Sequence, residues 1–341
     1  MSPKKNVTIR DLAVASGVSI GTVSRALKNQ PGLSEQTRNE VMLTARKLGY
    51  DITKLRNDKN GRALSQRDGK PRRILFLFNR THASLSANPF YSIVLQGVEN
   101  ACRDAQVTLS LLSVGPGDSI QARVLRQEPD AVLVVGFFDA EMLAKIKSSN
   151  LPIVIVDHLV PSCFCINDDN LQGAWLATYH LIEQGYQRIA MISGPLSHPS
   201  VALRSRGYRK ALFGSGRLAD PDLEVSLDPN LPYSEAAMVA MNKLLALPQR
   251  PDAVFAYNDE TALNAMEACR RAGLSIPGDI AFVGYDDIAA AAGNRPALTT
   301  IRVDKEALGN RAANHLIAGE ISAGEELLPV ELVVRESSLQ G

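Results

Sequence analysis

Residues 8–27, TIRDLAVASGVSIGTVSRAL, decide how this chain is read. Thr8 offers a hydroxyl to cap a helix, and Asp11 follows three residues later, near the positive end of that helix's dipole. Gly17 marks a tight turn, and Ser19 is placed to cap a second helix. In that second helix Val23, Ala26 and Leu27 pack inward, while Ile20, Gly21, Thr22, Ser24 and Arg25 lie on the outer side. The pattern is a helix-turn-helix whose second helix carries small, hydroxyl and guanidinium side chains, the types that fit a DNA major groove. Helix–glycine–helix alone also describes an ordinary helical hairpin, so the neighbouring residues decide between the two.

Ser34 is placed to cap a third helix, SEQTRNEVMLTARKLGY (34–50), with Val41, Ala45 and Leu48 as its inward stripe and Gly49 as its C-cap. Three short helices make a compact head. The stretch 7–50, VTIRDLAVASGVSIGTVSRALKNQPGLSEQTRNEVMLTARKLGY, resembles the DNA-binding head of the lactose-repressor/galactose-repressor (LacI/GalR) family of bacterial transcription factors. Charge points the same way. Residues 1–73 hold 16 Lys/Arg against 6 Asp/Glu, whereas the other 268 residues hold 21 against 30, so an overall charge of +1 conceals a basic head on an acidic body. That division suits a head that neutralises phosphates and a body that does not.

The length of 341 residues, 45% of them apolar, supports a large buried core and two or three domains. The N-terminal MSPKKNVTIR is charged, and no apolar run reaches the ~20 residues that cross a bilayer, so a cytoplasmic protein is expected. Cys102, Cys163, Cys165 and Cys269 form no CxxC pair and have no zinc-like histidine spacing, and they read as buried free thiols. Neither GxGxxG, P-loop nor GxSxG is present, and the five histidines are scattered. No enzyme activity, cofactor or metal is therefore expected.

Polar residues 51–72, interrupted by Gly61 and Gly69, read as a linker. The resemblance implies a hinge helix there with a leucine wedge for the minor groove. Counting forward from Tyr50 puts the wedge near Lys59, and counting back from the first strand of the body puts it at Leu64, which is favoured. Ile52 and Thr53 stand where the family has Pro-Asn, and Gly61 lowers helix propensity.

From Arg73 onward, continuous apolar runs such as RILFLFN, DAVLVVG, PIVIVD, RIAMISG, DAVFAYN and IAFVGYD alternate with amphipathic helices. This argues for doubly wound parallel sheets, and the pattern occurs twice, as two lobes with a cleft between them. NPFY at 88–91, RSRGY at 204–208, GYDD at 284–287 and LTT at 298–300 extend the resemblance over nearly the whole chain. It implies a periplasmic-binding-protein-like body. The expected fold is a small all-α helix-turn-helix head (1–50), a hinge and linker (51–72) and a two-lobed α/β body (73–341). The first lobe is expected at about 73–167 plus 299–325, and the second at about 168–298 plus 326–341.

Ligands of open α/β sheets bind beyond the carboxyl ends of the strands. Asn79, Asp157, Asn258, Asp259 and Asp286 stand at such ends, each otherwise a helix cap. Arg204 adds a rigid fork of donors suited to a diol or a carboxylate. Phe90 and Tyr91 offer an aromatic wall for a sugar ring, or simply pack the first helix of the body. The resemblance implies that Phe90, Asp157, Arg204, Asn258 and Asp286 contact a small effector. Asp169, Asp259 and Asp287 read as local caps, and His158 is within reach of the pocket.

The function expected from these features is a ligand-responsive repressor controlling carbohydrate genes. It would act as a homodimer on a palindromic double-stranded DNA operator, with a sugar or sugar phosphate as effector and no membrane partner. Arg25, Ile20 and Gly21 would read base edges, while Thr8, Ser19, Thr22, Ser24, Asn29 and Thr37 hold the helices and phosphates. A purine or another metabolite as corepressor remains open, as do, more remotely, a transport-type sugar receptor and an enzyme on a doubly wound fold.

Overall fold

The computed structural model describes residues 8–27, 33–48, 50, 71–80, 89–115, 117–319 and 321–339. Asn29, Leu64 and the linker residues 51–70 lie outside the described residues. The chain divides into two compact units, Met1–Lys70 and Pro71–Gly341.

In the first unit, α1 (Ile9–Ser16), α2 (Ile20–Leu27) and α3 (Glu35–Lys47) pack on one another. Thr8 and Asp11 form a reciprocal capping box, and Gly17 ends α1 at φ 67°, a left-handed conformation that glycine adopts without a Cβ penalty. Ser19 Oγ accepts from the Thr22 amide at 3.1 Å, and Ser34 Oγ accepts from the Thr37 amide at 3.2 Å. Leu12, Ala13, Val23, Ala26, Leu27, Val41 and Ala45 form the core. Burial of each larger aliphatic side chain contributes about 1.5–3 kcal/mol, which the three helices need because none is long enough to be stable alone. Leu48 departs from the expected inward stripe. It lies one residue past the end of α3 and is 41% exposed.

The second unit holds two parallel sheets, each with helices on both faces. The first sheet has the order β11-β5-β4-β3-β1-β2, where β1 is Arg73–Asn79, β2 Thr108–Val114, β3 Ala131–Val135, β4 Ile153–Val156, β5 Phe164–Asp168 and β11 Gly324–Leu328. The second has the order β12-β10-β9-β8-β6-β7, where β6 is Ile189–Ser193, β7 Glu224–Ser226, β8 Ala253–Ala256, β9 Ala281–Asp286, β10 Thr299–Arg302 and β12 Glu331–Val333. Only β12 runs antiparallel, against β10. The central strands are buried along their length, as fits sheets covered on both faces.

Two lobe boundaries differ from the sequence reading. Thr299–Arg302 pairs with β9 and so belongs to the second sheet, whereas Gly324–Leu328 pairs with β5 through Leu328, beyond the expected change at 325. A short apolar strand reads alike in either sheet, and its partner is set by non-local pairing. Between the lobes the chain crosses after Asp168, between Arg302 and Lys305, and between Leu328 and Glu331.

Helix α4 (Pro89–Asp104) lies against α12 (Lys305–Ala318) in the first lobe, and α7 (Asn170–Glu183) against α8 (Pro199–Gly214) in the second. The first pair is held close by glycines: a Cβ at Gly97 would sit 2.0 Å from the Glu306 carbonyl oxygen, and one at Gly309 1.9 Å from that of Val94. All four cysteines are free and buried.

Candidate functional site

The cleft of the second unit is built on α8, which starts after His198 with Pro199 in its first turn. Ser200 and Arg204 are one turn apart, so they share a face of α8, and both are buried. Ser200 Oγ donates to Asp157 Oδ1 at 2.6 Å, crossing from the second lobe to the residue that follows β4 in the first. Tyr91 Oη, in the first turn of α4, donates to the other carboxylate oxygen at 2.6 Å, and His198 Nε2 stands 3.8 Å from it. Burial first, and then the Asp157 charge, raises the Tyr91 phenol well above its ordinary value, so it stays a donor.

Arg204 is the hub of the second half. Its Nε donates to Asn170 Oδ1 at 2.7 Å and its Nη1 to the Tyr257 carbonyl at 2.5 Å, while Nη1 lies 3.6 Å from Asp286 Oδ1 and Nη2 4.0 Å from Asp168 Oδ2. The guanidinium lies 3.6 Å from the centroid of the Tyr285 ring, whose hydroxyl donates to Asp168 Oδ2 at 2.6 Å. Burial works against the charge of Arg204, but Asp286, Tyr285 and Asp168 outweigh it and hold the guanidinium protonated. Burial raises the Asp286 carboxyl well above the carboxylate range, against the pull of Arg204. Asp157 and Asp286 have φ of 57° and 111°, a backbone region that favours glycine, and strain of this kind collects at functional sites.

A ring cluster lines the same cleft. Phe137 lies 5.0 Å from the His158 ring and 5.4 Å from that of His198. His158 Nε2 bonds the Phe138 carbonyl at 3.0 Å, its Nδ1 has no partner among the described residues, and burial lowers its pKa. The neutral ring donates through Nε2 and leaves Nδ1 as an acceptor.

Of the residues singled out in the sequence, Tyr91 and Asp157 thus meet in one half of the cleft, while Arg204 and Asp286 meet in a second network one turn further along α8. Asn258 reaches the second network through its neighbour Tyr257, but its side-chain oxygen is occupied by the Thr261 amide at 2.9 Å and the Tyr233 hydroxyl at 2.8 Å, which makes it the N-cap of α10 (Asp259–Arg271). Asn79 donates to the Phe137 carbonyl at 2.9 Å and so carries the ring cluster. Phe90 is buried in the core shared by the two lobes and touches the Tyr91 ring edge-on at 5.2 Å. Asp169 caps α7 as expected, accepting from the Gln172 amide at 2.9 Å. Asp259 and Asp287 are not local caps. Asp259 binds the Thr300 hydroxyl and the Ile288 amide, and Asp287 pairs with Arg302 at 2.8 Å and Arg335 at 2.6 Å.

In the head, α2 presents Ile20, Gly21 and Arg25 as exposed residues, with Thr22 and Ser24 half-buried beside them. Ser19 and Thr22 hydroxyls pair at 2.9 Å, as do those of Ser34 and Thr37 at 2.8 Å. Among the described residues Arg25 Nε reaches the Gly21 carbonyl, at 3.4 Å, a weak contact that leaves its guanidinium available.

Comparison with known proteins places this geometry. Residues 8–51 match the model of bacterial regulatory proteins, lacI family, and residues 178–338 match a periplasmic binding protein-like domain. The HTH-type transcriptional repressor CytR of Escherichia coli (strain K12) is 31% identical over 97% of this chain and 96% of its own length. The ribose operon repressor of the same organism is 32% identical over 91% and 92%.

The chain belongs to the lacI family of bacterial regulatory proteins.

Solved structures agree. A transcriptional regulator CelR–cellobiose complex matches with a TM-score of 0.73 at 27% identity, over 97% of this chain and 99% of that one. A lac repressor dimer bound to operator and the anti-inducer ONPF matches at 0.70 and 26%, over 98% and 100%. As a lacI-family member the chain is a DNA-binding transcriptional regulator. No helix among the described residues is long and apolar enough to cross a membrane.

Several cleft residues escaped the sequence reading, namely Phe137, His198, Ser200, Asp168, Asn170, Tyr257 and Tyr285. The signal for two of them was present, because Asp168 and Asn170 flank the end of β5 in NDDN, the same strand-end position that singled out Asp157. The core packing that the sequence offered as the alternative for Phe90 is present, since Phe90, Val94, Val98 and Ala101 repeat at helical spacing and all are buried.

Proposed function

We propose that this chain is a repressor that acts as a homodimer on a palindromic operator, and that a sugar or sugar phosphate in the cleft changes its operator affinity. The observation that carries the reading is the pairing of Ser200 and Arg204 on one helical face with Asp157 and Asp286, carboxylates from opposite lobes. Carboxylates beside a forked guanidinium suit vicinal hydroxyls or a phosphate, and aromatic rings at hand cover the apolar face of a sugar. Filling such a cleft shifts the balance between lobe arrangements only through contacts that differ between them, and the cross-lobe bonds at Asp157 are contacts of that kind.

In this reading Arg25 reads a guanine edge, Ile20 and Gly21 act through methyl contact and close approach, and Thr8, Ser19, Thr22, Ser24, Asn29 and Thr37 serve phosphates and helix ends. Leu64 is the proposed minor-groove wedge. The protein is proposed to be cytoplasmic and to turn over no substrate. A second reading, a purine or similar flat metabolite, is favoured by the cluster of Phe137, His158 and His198 rings.

The test is selection of genomic fragments by the purified full-length protein at moderate salt, alone and with a panel of sugars, sugar phosphates and purines. Recovery of a palindrome whose binding changes with one panel member supports the reading and names the effector class. Failure to enrich any palindrome under any of these conditions overturns it.

A further inference from the structure

Lys305 is a buried cation in an unusual place. It is the first residue of α12, at the positive end of the helix dipole, where a positive charge is disfavoured, and it is 6% exposed. Its ammonium turns away from the helix and donates to three main-chain carbonyls: that of Asp286, that of Val303 at 3.1 Å and that of Asp287 at 3.4 Å. The first and last of these carbonyls belong to the turn after β9, where Asp286 and Asp287 both have positive φ, 111° and 51°. Two successive left-handed residues that are not glycine need to be held.

The other side of the same turn is held by Asp259. Its carboxylate accepts from the Ile288 amide at 2.9 Å and from the Thr300 hydroxyl, and Thr300 Oγ1 in turn accepts from the Asp287 amide at 3.4 Å. A Cβ at Gly284 would come within 2.2 Å of Asp259 Oδ1, so a glycine is required for the carboxylate to sit there. The turn that presents Asp286 to Arg204 is therefore clamped between a buried cation and a buried carboxylate. The cation stands on the crossover between the lobes, at the root of the helix that packs on α4, which in turn carries Tyr91 to Asp157.

We propose that Lys305 is a positioning residue that fixes the Asp286–Asp287 turn to the inter-lobe crossover, so that the cleft carboxylate of the second lobe and helix α12 of the first move as one unit. The further consequence, that occupation of the cleft at Asp286 is passed to α12, rests on the effector reading above. The fixing of the turn does not.

Hydrogen exchange of the full-length protein, resolved to single amides, tests this without any effector. In the wild-type protein the Asp287 and Ile288 amides and the first protected amides of α12 should open together, with the same free energy and the same urea dependence. Lys305→Met should accelerate exchange at Asp287 and Ile288 by roughly tenfold or more while β1 and β3 keep their protection. The Asp286 carboxyl, followed by carbon NMR, should titrate at higher pH in that variant, because a neighbouring positive charge is gone. A space-filling role would leave that titration unmoved. Lys305→Arg, which keeps a cationic donor, should restore the Asp286 titration toward its wild-type position.

Independent opening of the turn and α12 in the wild type overturns the proposal, and this measurement stands even if Lys305→Met does not fold. So does acceleration spread evenly over both sheets, or an unchanged Asp286 titration. If the turn behaves as expected but Asp286→Ala still responds to the effector, the effector assignment fails and the positioning role remains.

Discussion

Ser200 Oγ donates a 2.6 Å hydrogen bond to Asp157 Oδ1, and the two residues belong to different lobes. The same carboxylate takes the Tyr91 hydroxyl from its own lobe, so Asp157 is held on one side and reaches across the cleft on the other. A hydrogen bond to a charged acceptor contributes about 1.5–3 kcal/mol, a small part of the roughly 5–15 kcal/mol that keeps a protein folded. Ser200→Ala should therefore leave both lobes folded while shifting the ligand-free protein toward a more open cleft, by roughly tenfold in population. Pulsed spin-label distances between one site on each lobe would report it. Unchanged distance distributions would mean that the lobes are set by their shared core alone.

Arg25 is exposed on α2, and its intrahelical contact with the Gly21 carbonyl is weak. Arg25→Ala should reduce affinity for the selected operator by about 10- to 100-fold, the cost of one bidentate base contact, and relax preference at one symmetric pair of positions. Effector binding should be unaffected. Fluorescence anisotropy on the operator and on single-base variants separates this from a phosphate contact, whose loss would weaken all sequences alike and flatten the salt dependence.

Asp286 faces Arg204 at 3.6 Å in a buried setting. Asp286→Ala should weaken binding of the effector by about 10- to 100-fold, as expected for loss of a charge-assisted contact, while ligand-free operator affinity stays within about twofold. Calorimetry with the effector and anisotropy with the operator give the two numbers. Equal loss of both would point to a folding defect rather than to a site.

How much of this was legible in the sequence differs by element. Thr8, Gly17, Ser19 and Ser34 carry local signals, cap and turn chemistry that acts over three or four residues, and these positions could be read directly. The strands of the two sheets were legible as apolar runs, but their partners were not: Thr299–Arg302 reads as a buried strand in either lobe, and only its pairing with β9 assigns it. That pairing also explains Asp259. Beside Asn258 it looks like half of a double cap, yet its partner Thr300 arrives from 41 residues away. Lys305 gave no warning, because its three acceptors are main-chain carbonyls, which have no signature in a sequence. Phe90 carried two signals, a motif that points to the effector and a helical spacing with Val94, Val98 and Ala101 that points to the core, and it is buried in that core.

Asp259 also sets a pH dependence. Burial raises its carboxyl to about 7, against the hydrogen bonds from Thr300 and the Ile288 amide, whereas in the unfolded chain it returns to the ordinary carboxylate value. Between those two values the folded protein binds more protons than the unfolded one, so this group's contribution to stability falls as pH rises from about 4 and levels off above about 7. The slope is at most about 1.4 kcal/mol per pH unit. Asp259→Asn keeps an acceptor for the Ile288 amide and removes the titration. Urea midpoints at pH 5, 6.5 and 8 should converge on, or cross in favour of, the variant as pH rises. Parallel profiles would show that the carboxyl titrates alike in both states.

The crossing of α4 and α12 makes the last prediction the most severe. The Cβ atoms introduced by Gly97→Ala and Gly309→Ala would meet main-chain oxygens, at 2.0 Å from Glu306 and 1.9 Å from Val94, and backbone cannot yield as a side-chain tip can. The helices must part, which forfeits packing along their whole contact and costs about 3 kcal/mol or more for each change. Calorimetry should show the body transition falling by several degrees in either variant, while the small transition of the head stays where it was. Because both changes relieve themselves by the same separation, the double variant should lose less than the two single losses combined. Full additivity would mean that each glycine is accommodated by its own local shift, and that the two helices do not move as a rigid pair.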